Sequence, residues 1–223
     1  MNPTLLNYVG TELILHLTQL FQQILKFGDI PKTWKESIII PLFKKGSKTN
    51  PENYRGITLL NITLKLFTRV ILTKLLKYIQ PREEQQSFRK NRLITDATFI
   101  TRQITEKSIE FNQPAYLCFV DLTKSFDRVR LADVIDCLRD REVPEHIVRI
   151  IKELNTDMTA RIKSNNKTSR CITIKNGFRQ GDSLSPVLFN IIMDKIIANL
   201  SKELGYKMGN DSIHIICHAD VRF

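Results

Sequence analysis

The sequence predicts an α+β fold, in which short strands lie among longer amphipathic helices. Apolar residues recur at helical spacing over several long stretches, whereas β-branched runs such as "ESIIIPLF" are short and bounded by turn residues. Hydrophobic residues make up 42% of the 223-residue chain, which is enough for a sizeable core and argues against disorder. The chain has no internal repeat and no linker-like tract, so we expect one cooperative unit with two lobes.

Each predicted helix is bounded by residues that start or stop helices. The first covers 11–27, with Thr11 as its cap and Gly28 as its stop. Pro144 favours the first turn of a helix that runs to residue 155. Further helices are predicted over 61–78, 95–111, 131–141 and 185–204, the last capped by Ser185 and Pro186.

The predicted strands are short and β-branched. One covers Ser37–Phe43 and turns at Gly46, and two alternating runs around Asn165 and Asn166 predict a hairpin. The segment "NYRGITLL" is predicted to be a turn that enters the next element. The segment "AYLCFVDL" predicts a buried strand that ends on Asp121, and "SIHIICHAD" predicts a last strand that ends on Asp220.

The net charge of +11 is concentrated in one part of the chain. Between Lys32 and Arg92 there are 14 Lys or Arg residues against 4 Asp or Glu residues, a net charge of +10. The general interpretation is a solvated surface, but a basic surplus mixed with apolar runs also indicates a face that binds a polyanion. Charge alone leaves nucleic-acid binding and a solvated face open.

The cysteine pattern and the terminal residues bear on the compartment. The four cysteines form no CxxC pair, so we expect reduced, mostly buried thiols in an intracellular protein, nuclear or cytoplasmic. A zinc site at His214, Cys217 and His218 is disfavoured, because 217 lies on the other face of a strand from 214 and 218. No signal peptide and no membrane span are expected from the apolar pattern.

Asp121 and Asp220 each follow a predicted hydrophobic strand. Burying two carboxylates is unfavourable unless a positive charge matches them. Mg²⁺ prefers oxygen ligands, and two such ions about 4 Å apart can align an attacking hydroxyl with a leaving phosphate. The alternative is that Asp121 only caps the turn "DLTKSFD"; the basic segment favours the metal site.

Five segments of the sequence match known motifs and occur in a familiar order. The segments "FVDLTKSFDRV", "NGFRQGDSLSPVLFN" and "HAD" resemble three successive motifs of reverse transcriptases. Upstream, "IPKTWKESIIIPLFKKGSKTNPENYRGITLL" and "QQSFRKNRLITDATF" resemble the finger motifs of the same family. From about residue 30 onward the chain resembles a reverse transcriptase of the non-LTR retrotransposon type, with group II intron proteins as more distant relatives.

The resemblance implies the fingers and an incomplete palm of a right-hand polymerase, without a thumb. The implied segments are an N-terminal helix region over 1–30, fingers over 31–114 and a partial palm over 115–223, which includes helices and a hairpin over 128–176. The implied ancestral activity is RNA-directed DNA synthesis. Its cofactor would be Mg²⁺, and its partners an RNA template, a DNA primer and deoxynucleoside triphosphates.

Carried over position by position, the resemblance implies three groups of site residues. Asp121 and Asp220 would be the catalytic metal ligands. The nucleotide site would contain Lys44, Arg55, Phe126, Gln180 and Gly181, with Phe126 under the sugar, where it excludes a 2′-hydroxyl group. Nucleic-acid phosphates would be contacted by Lys45, Arg89 and Arg92. Core packing of Phe126 and a solvated face for Arg89 and Arg92 remain open alternatives.

The sequence also departs from the family pattern. Residues 218–221 are His-Ala-Asp-Val, where the family typically has Tyr or Phe, Ala, Asp, Asp. Ser87 and Asn91 stand where the arginine-rich finger motif usually has glycines. Because Val221 supplies no carboxylate and the chain stops soon afterwards, we expect a truncated reverse transcriptase fragment without polymerase activity. The alternatives are a non-catalytic nucleic-acid-binding module and an unselected transposon relic.

Overall fold

The computed structural model has a mixed α+β fold and describes residues 10–89, 92–165, 167–200, 205–209 and 211–218. The chain divides into two compact units. Unit 1 is formed by residues 1–79 and 126–186, and unit 2 by residues 80–125 and 187–223. Among the described residues, no helix has the length and apolar character needed to cross a bilayer.

The helices are α1 (Thr11–Phe27), α2 (Lys32–Lys35), α3 (Ile62–Leu75), α4 (Ile94–Glu110), α5 (Ser125–Arg128), α6 (Leu131–Arg139), α7 (Glu145–Leu154) and α8 (Ser185–Ala198). The strands are β1 (Glu36–Phe43), β2 (Tyr54–Leu59), β3 (Met158–Ser164), β4 (Lys167–Thr168), β5 (Ile172–Ile174), β6 (Tyr206–Met208) and β7 (Asp211–Ile213). Most helices predicted from apolar spacing are therefore confirmed to within a few residues, as are strand β1 and the hairpin around Asn165.

Unit 1 contains a five-stranded sheet. Strand β1 pairs antiparallel with β2 and parallel with β3, and β3 pairs antiparallel with β4 and β5. Ser37 lies opposite Ala160, and both are buried on the inner face of the sheet. The alternate residues Ile38 and Ile40 lie on the exposed face, as the two-residue period of a strand requires.

The core of unit 1 is built around aromatic side chains. The ring centroids of Trp34 and Phe67 lie 5.3 Å apart, and those of Phe21 and Phe67 lie 5.2 Å apart at an interplanar angle of 61°. Phe67 is fully buried. Helices α3, α6 and α7 add buried aliphatic side chains to unit 1: Leu64, Ile71, Val134, Leu138, Ile147, Ile150 and Ile151. The loop 176–184 contacts this core through Arg179.

The segment "NYRGITLL" was predicted to be a turn, and this prediction is wrong. Residues Tyr54–Leu59 form β2, which pairs with β1 in six consecutive register positions. Gly56 lies opposite Pro41, where the absence of a side chain allows close packing against Ile39. Glycine and arginine interrupt the alternation of β2, so the long-range pairing with β1, and not local pattern, determines this strand.

The strand predicted over residues 115–122 is also wrong. The residues have no regular secondary structure, and Tyr116, Phe119 and Val120 are 93%, 86% and 77% exposed. A β-branched apolar run fits a strand only when a second strand supplies its hydrogen bonds. No such pairing exists for this run within the described part of unit 2, so Asp121 follows an exposed stretch without regular secondary structure.

Three smaller boundary predictions are corrected. The helix α1 is preceded by Gly10, and Thr11 is its first residue and not its cap. Helix α8 ends at Ala198 and not at 204, although residues 201–204 lie outside the described part. The last strand is shorter than predicted: β7 ends at Ile213, and among the described residues that follow it, Cys217 alone forms a further bridge, parallel to Gln85.

All four cysteines are free thiols. Cys137 and Cys217 are buried as predicted, whereas Cys118 and Cys171 are exposed, so the prediction of mostly buried thiols holds for half of them. Burial raises the pKa of the Cys217 thiol to about 11, with smaller contributions from Glu84 and Asp194. This thiol is therefore protonated and unreactive at neutral pH.

Candidate functional site

Three predicted nucleotide-site residues meet at the free edge of strand β2 in unit 1. The Arg55 Nε–H donates a hydrogen bond to Gln180 Oε1 at 3.3 Å. The backbone N–H of Thr58 donates to the carbonyl oxygen of Gln180 at 3.1 Å. Gly181 follows directly, so residues that lie 125 positions apart in sequence share one edge. We call Arg55, Gln180 and Gly181 the β2-edge cluster.

Gly181 is needed for this close approach. Its φ of +115° is a backbone conformation that other residues rarely adopt, and a Cβ there would lie 3.0 Å from the Thr58 carbonyl oxygen. The backbone at Gly181 therefore lies in close contact with the edge of β2. A surface of this kind lets a flat ligand approach the main chain closely.

The loop that carries the cluster is anchored to the segment that contains Phe126. The backbone N–H of Phe178 donates to the Phe126 carbonyl oxygen at 3.2 Å, and Gly177 N–H donates to the Val129 carbonyl oxygen at 2.9 Å. At Gly177, a Cβ would lie 2.6 Å from the Asp127 Cα, so only glycine fits. Phe126 is itself half-buried. The motifs "SFDRV" and "NGF" therefore pack directly against each other.

Arg179 anchors the same loop to the core of unit 1. This residue was not predicted from the sequence. Its side chain is buried, with the residue 5% exposed. The guanidinium donates to the Trp34 carbonyl oxygen at 2.7 Å, to the Leu154 carbonyl oxygen, and to Met158 Sδ at 3.0 Å. Burial lowers the pKa of Arg179, and the negative charge of Asp182 partly opposes this. Arg179 therefore ties three core segments to the residue beside Gln180.

Asp182 closes the loop on the other side of the cluster. Its carboxylate accepts a hydrogen bond from the Leu184 backbone N–H at 3.2 Å and one from Thr68. The Ser185 hydroxyl donates to the Arg179 carbonyl oxygen at 3.1 Å, so it braces this loop and does not cap α8 as predicted. Although part of the residue is exposed, burial of the carboxyl raises the pKa of Asp182 above its ordinary value.

We expect Asp182→Asn to raise the thermal unfolding midpoint at pH 7 by a few degrees. A raised pKa in the folded state means that folding disfavours the ionised carboxylate, and asparagine keeps the Oδ1 acceptor without the charge. The advantage is present where wild-type Asp182 is ionised in the folded state, and shrinks as pH falls through its raised pKa. Melting curves from pH 4 to pH 8 measure this.

The matched control for Asp182→Asn is Asp136→Asn. Asp136 is an exposed carboxylate on α6 of the same unit. The control should leave the midpoint at pH 7 within about 1 °C of wild type, because exposed substitutions change stability little. A midpoint that falls at pH 7 in Asp182→Asn would contradict the assignment of Asp182 as a carboxylate destabilised by burial.

Lys44 and Lys45 lie where β1 ends and the turn to β2 begins. The Lys44 backbone N–H still donates to the Asn53 carbonyl oxygen at 2.8 Å, which continues the β1–β2 ladder. Because Arg55 lies opposite Leu42, the two-residue alternation places Lys44 on the same face as Arg55. Both lysines are exposed. The predicted cation at 44 thus lies on the face that carries Arg55.

Arg89 lies in unit 2 and forms an ion pair within its own loop. Its guanidinium donates to Glu83 Oε1 at 2.8 Å and to the Arg82 carbonyl oxygen at 2.9 Å. Arg92 donates to Glu83 Oε2 at 2.8 Å. The hydrogen bond and charge of Arg89 hold the pKa of Glu83 below its usual range. Contact of Arg89 and Arg92 with template phosphates stays a prediction.

The structure does not test the predicted pairing of the metal ligands Asp121 and Asp220. Asp121 lies in the exposed stretch of unit 2, whereas Asp220 lies outside the described residues. Within the part of the chain that the structure describes, no three His, Cys, Asp or Glu side chains are grouped so that they could hold a metal ion. Magnesium binding by Asp121 and Asp220 therefore stays a prediction.

Comparison with known proteins gives the family. The model of the family described as reverse transcriptase (RNA-dependent DNA polymerase) matches residues 43–220, which is most of the chain. The chain belongs to the reverse transcriptase family. Its predicted resemblance to this family is confirmed, and the matched region contains the whole β2-edge cluster and Asp121.

The curated relatives of this reverse transcriptase chain come from non-LTR retrotransposons. It is 24% identical over 204 residues to the Retrovirus-related Pol polyprotein from type-1 retrotransposable element R2 of Nasonia vitripennis, covering 92% of this chain and 20% of that protein. It is 24% identical to the R2DM Pol polyprotein of Drosophila melanogaster, covering 92% of this chain and 19% of the relative. The probable RNA-directed DNA polymerase from transposon BS of Drosophila melanogaster is 26% identical, covering 80% of this chain and 20% of that protein. The chain thus spans about a fifth of the length of these relatives.

Proposed function

We propose that this chain is the part of a reverse transcriptase that holds the incoming deoxynucleotide and the nucleic acid, without completing nucleotidyl transfer. The observation that carries the proposal is the β2-edge cluster, in which Arg55 contacts Gln180 beside Gly181. Residues that the family resemblance assigns to one nucleotide site, from two separate motifs, occupy one edge of one sheet. Their assembly at one edge is what a shared nucleotide site requires.

The chemistry of the cluster suits a triphosphate. A guanidinium presents a planar fork of N–H donors that matches phosphate oxygens, and lysine adds a compact positive charge. Arg55 is fixed by Gln180, and Lys44 lies on the same face of the β1–β2 hairpin. Gly181 leaves the adjacent backbone open to the base. Phe126, held against Phe178, would lie under the sugar.

The wider assignment follows the family. We propose that residues 31–114 form the fingers and 115–223 the palm, with the helix region 1–30 before them. The partners would be an RNA template and a DNA primer, with Lys45, Arg89 and Arg92 near backbone phosphates. The concentration of positive charge between Lys32 and Arg92 supports this, since it is the part that would follow a polyanion.

Catalysis is where the proposal departs from the family. The ancestral reaction would use Mg²⁺ held by carboxylates, and Asp121 and Asp220 would be its ligands. Val221 offers no oxygen where the family pattern has a second aspartate. We therefore propose that metal binding is weakened and that the chain binds substrates without joining them.

The test compares the nucleotide affinity of an Arg55 variant with that of a control variant at another arginine of unit 1. Arg55→Ala is expected to weaken binding of a fluorescent deoxynucleoside triphosphate by about 10- to 100-fold, the usual effect of losing a charged hydrogen bond. Arg69→Ala removes an exposed arginine of α3 and should change affinity less than about twofold. Fluorescence titration at fixed ionic strength measures both.

The outcomes separate the candidate functions. Equal losses of affinity in Arg55→Ala and Arg69→Ala would show that nucleotide binding depends on the overall positive charge. This result would contradict the assignment of the β2-edge cluster as the nucleotide site. No measurable binding by the folded wild-type chain would favour the unselected relic. Binding of nucleic acid without nucleotide would favour the non-catalytic nucleic-acid-binding module.

A further inference from the structure

One exposed serine of unit 1 lies in the turn between β1 and β2, directly after a lysine pair and a glycine. The segment is Lys44-Lys45-Gly46-Ser47-Lys48, and all five residues are exposed. In the whole sequence, Ser47 alone among serines and threonines has Lys or Arg both two and three positions before it. Protein kinases use charge patterns around a hydroxyl group to select their substrates. The segment therefore has the pattern of a basophilic kinase substrate.

The turn holds its backbone in place and leaves the Ser47 side chain at the surface. The Asn53 side-chain amide donates to the Ser47 carbonyl oxygen at 2.8 Å, and the Tyr54 hydroxyl donates to the Lys48 carbonyl oxygen at 2.9 Å. The Ser47 Oγ shares a hydrogen bond with Thr49 Oγ1 at 2.7 Å and accepts one from the Thr49 backbone N–H at 3.3 Å. Because Thr49 lies in the same exposed turn, a small local opening frees the hydroxyl for an enzyme.

The same turn leads into the face that carries the β2-edge cluster. Lys44 lies on the same face of the β1–β2 hairpin as Arg55, and Lys45 and Lys48 lie within two residues of Ser47. Two residues of chain span at most about 7 Å, which is less than the Debye length of about 8 Å at physiological ionic strength. A negative charge on Ser47 therefore acts directly on the cations at this end of the hairpin.

We propose that Ser47 is a phosphorylation site for a basophilic protein kinase, and that its phosphorylation weakens nucleic-acid binding. The Ser47 Oγ bonds to the γ-phosphorus of ATP as the bond to the β,γ-bridging oxygen breaks; ADP leaves, and the kinase base accepts the hydroxyl proton. Phosphoserine carries a charge of about −1.5 to −2 at pH 7, so it cancels about two of the nearby lysine charges. The effect on binding rests on the proposed function, whereas the identity of the acceptor does not.

The first experiment identifies the acceptor and needs no nucleic acid. The folded full chain is incubated with ATP, Mg²⁺ and the catalytic subunit of cyclic-AMP-dependent protein kinase, a basophilic enzyme, and the phosphate is mapped by mass spectrometry. Phosphate is expected on Ser47, and Ser47→Ala should abolish its incorporation. The Lys44→Gln/Lys45→Gln variant should slow incorporation by about tenfold or more, because it removes the cations that the kinase contacts.

The matched control for Ser47→Ala is Ser164→Ala. Ser164 is an exposed serine of unit 1 with Arg161 three positions before it, but position 162 is isoleucine. The control should be phosphorylated at the wild-type rate. Phosphate on a residue other than Ser47, or no phosphate on Ser47 in the folded wild-type chain, would overturn the inference.

The second experiment measures affinity for a primed RNA template by fluorescence anisotropy over a range of salt concentrations. Phosphorylation of Ser47 should weaken binding by about tenfold near 0.1 M salt and make the slope of log affinity against log salt shallower by about 1 to 2. Phosphatase treatment should restore both values, and Ser47→Ala treated with the kinase should bind like the untreated chain.

The two parts of the inference fail in different ways. Equal template affinity before and after phosphorylation of Ser47 would overturn the proposed effect on binding. If the unmodified chain binds no template at any salt concentration, the proposed function fails and the effect on binding fails with it, whereas the mapping result still decides whether Ser47 is the acceptor.

Discussion

Replacement of Arg179 by alanine is expected to lower the free energy of unfolding by about 3–5 kcal/mol. The side chain is buried and donates to the carbonyl oxygens of Trp34 and Leu154. Alanine would leave both carbonyls without their donor and open a cavity between α2, α7 and β3. Because the same residue fixes the backbone next to Gln180, nucleotide binding should fall in whatever protein remains folded.

Chemical denaturation of three variants measures this effect. Arg179→Met keeps the apolar stem and removes the donors, so it should also lose about 2 kcal/mol or more. Arg161→Ala removes an exposed arginine from β3 of the same unit and should stay within about 0.5 kcal/mol of wild type. Wild-type stability in Arg179→Met would show that packing of the stem, and not the hydrogen bonds, matters at this position.

The helices of this chain were predictable because their determinants are local. The apolar spacing of α3 or α7 is present within a single helix, and Gly28, with φ of +85°, ends α1 where the sequence places its stop. The strands were less predictable. Strand β2 depends on six register partners in β1, and residues 115–122 have strand composition without a pairing strand in the described structure.

The contact between the residues of the β2-edge cluster was not predictable from the sequence. Arg55, Gln180 and Gly181 were named only through the family resemblance, and their meeting at the edge of β2 required the folded chain. Arg179 was missed because an arginine between a turn and a glycine is usually exposed. The sequence does place Arg179 directly after an apolar residue, Phe178. In the structure, Phe178 is also buried.

The purified chain is expected to bind a primed template and not to extend it. Asp121 and Asp220 are two carboxylates where the family pattern supplies a third at position 221, and valine provides no oxygen. Loss of one positioned electrostatic group lowers enzyme rates by roughly 10²- to 10³-fold, and a lost metal ligand can lower them further. Asp121 also follows an exposed stretch that pairs with no strand in the described part of unit 2, so Val221→Asp alone should not restore extension.

Extension of a primed RNA template in the presence of Mg²⁺ and deoxynucleoside triphosphates, measured alongside template binding in the same samples, tests the central claim most directly. The account predicts saturable binding whose logarithm of affinity falls linearly with the logarithm of salt concentration. It predicts no extended product from wild type, Asp121→Asn or Val221→Asp. Extension by the wild-type chain that Asp121→Asn abolishes would contradict the account, because it would show that two carboxylates suffice for catalysis here.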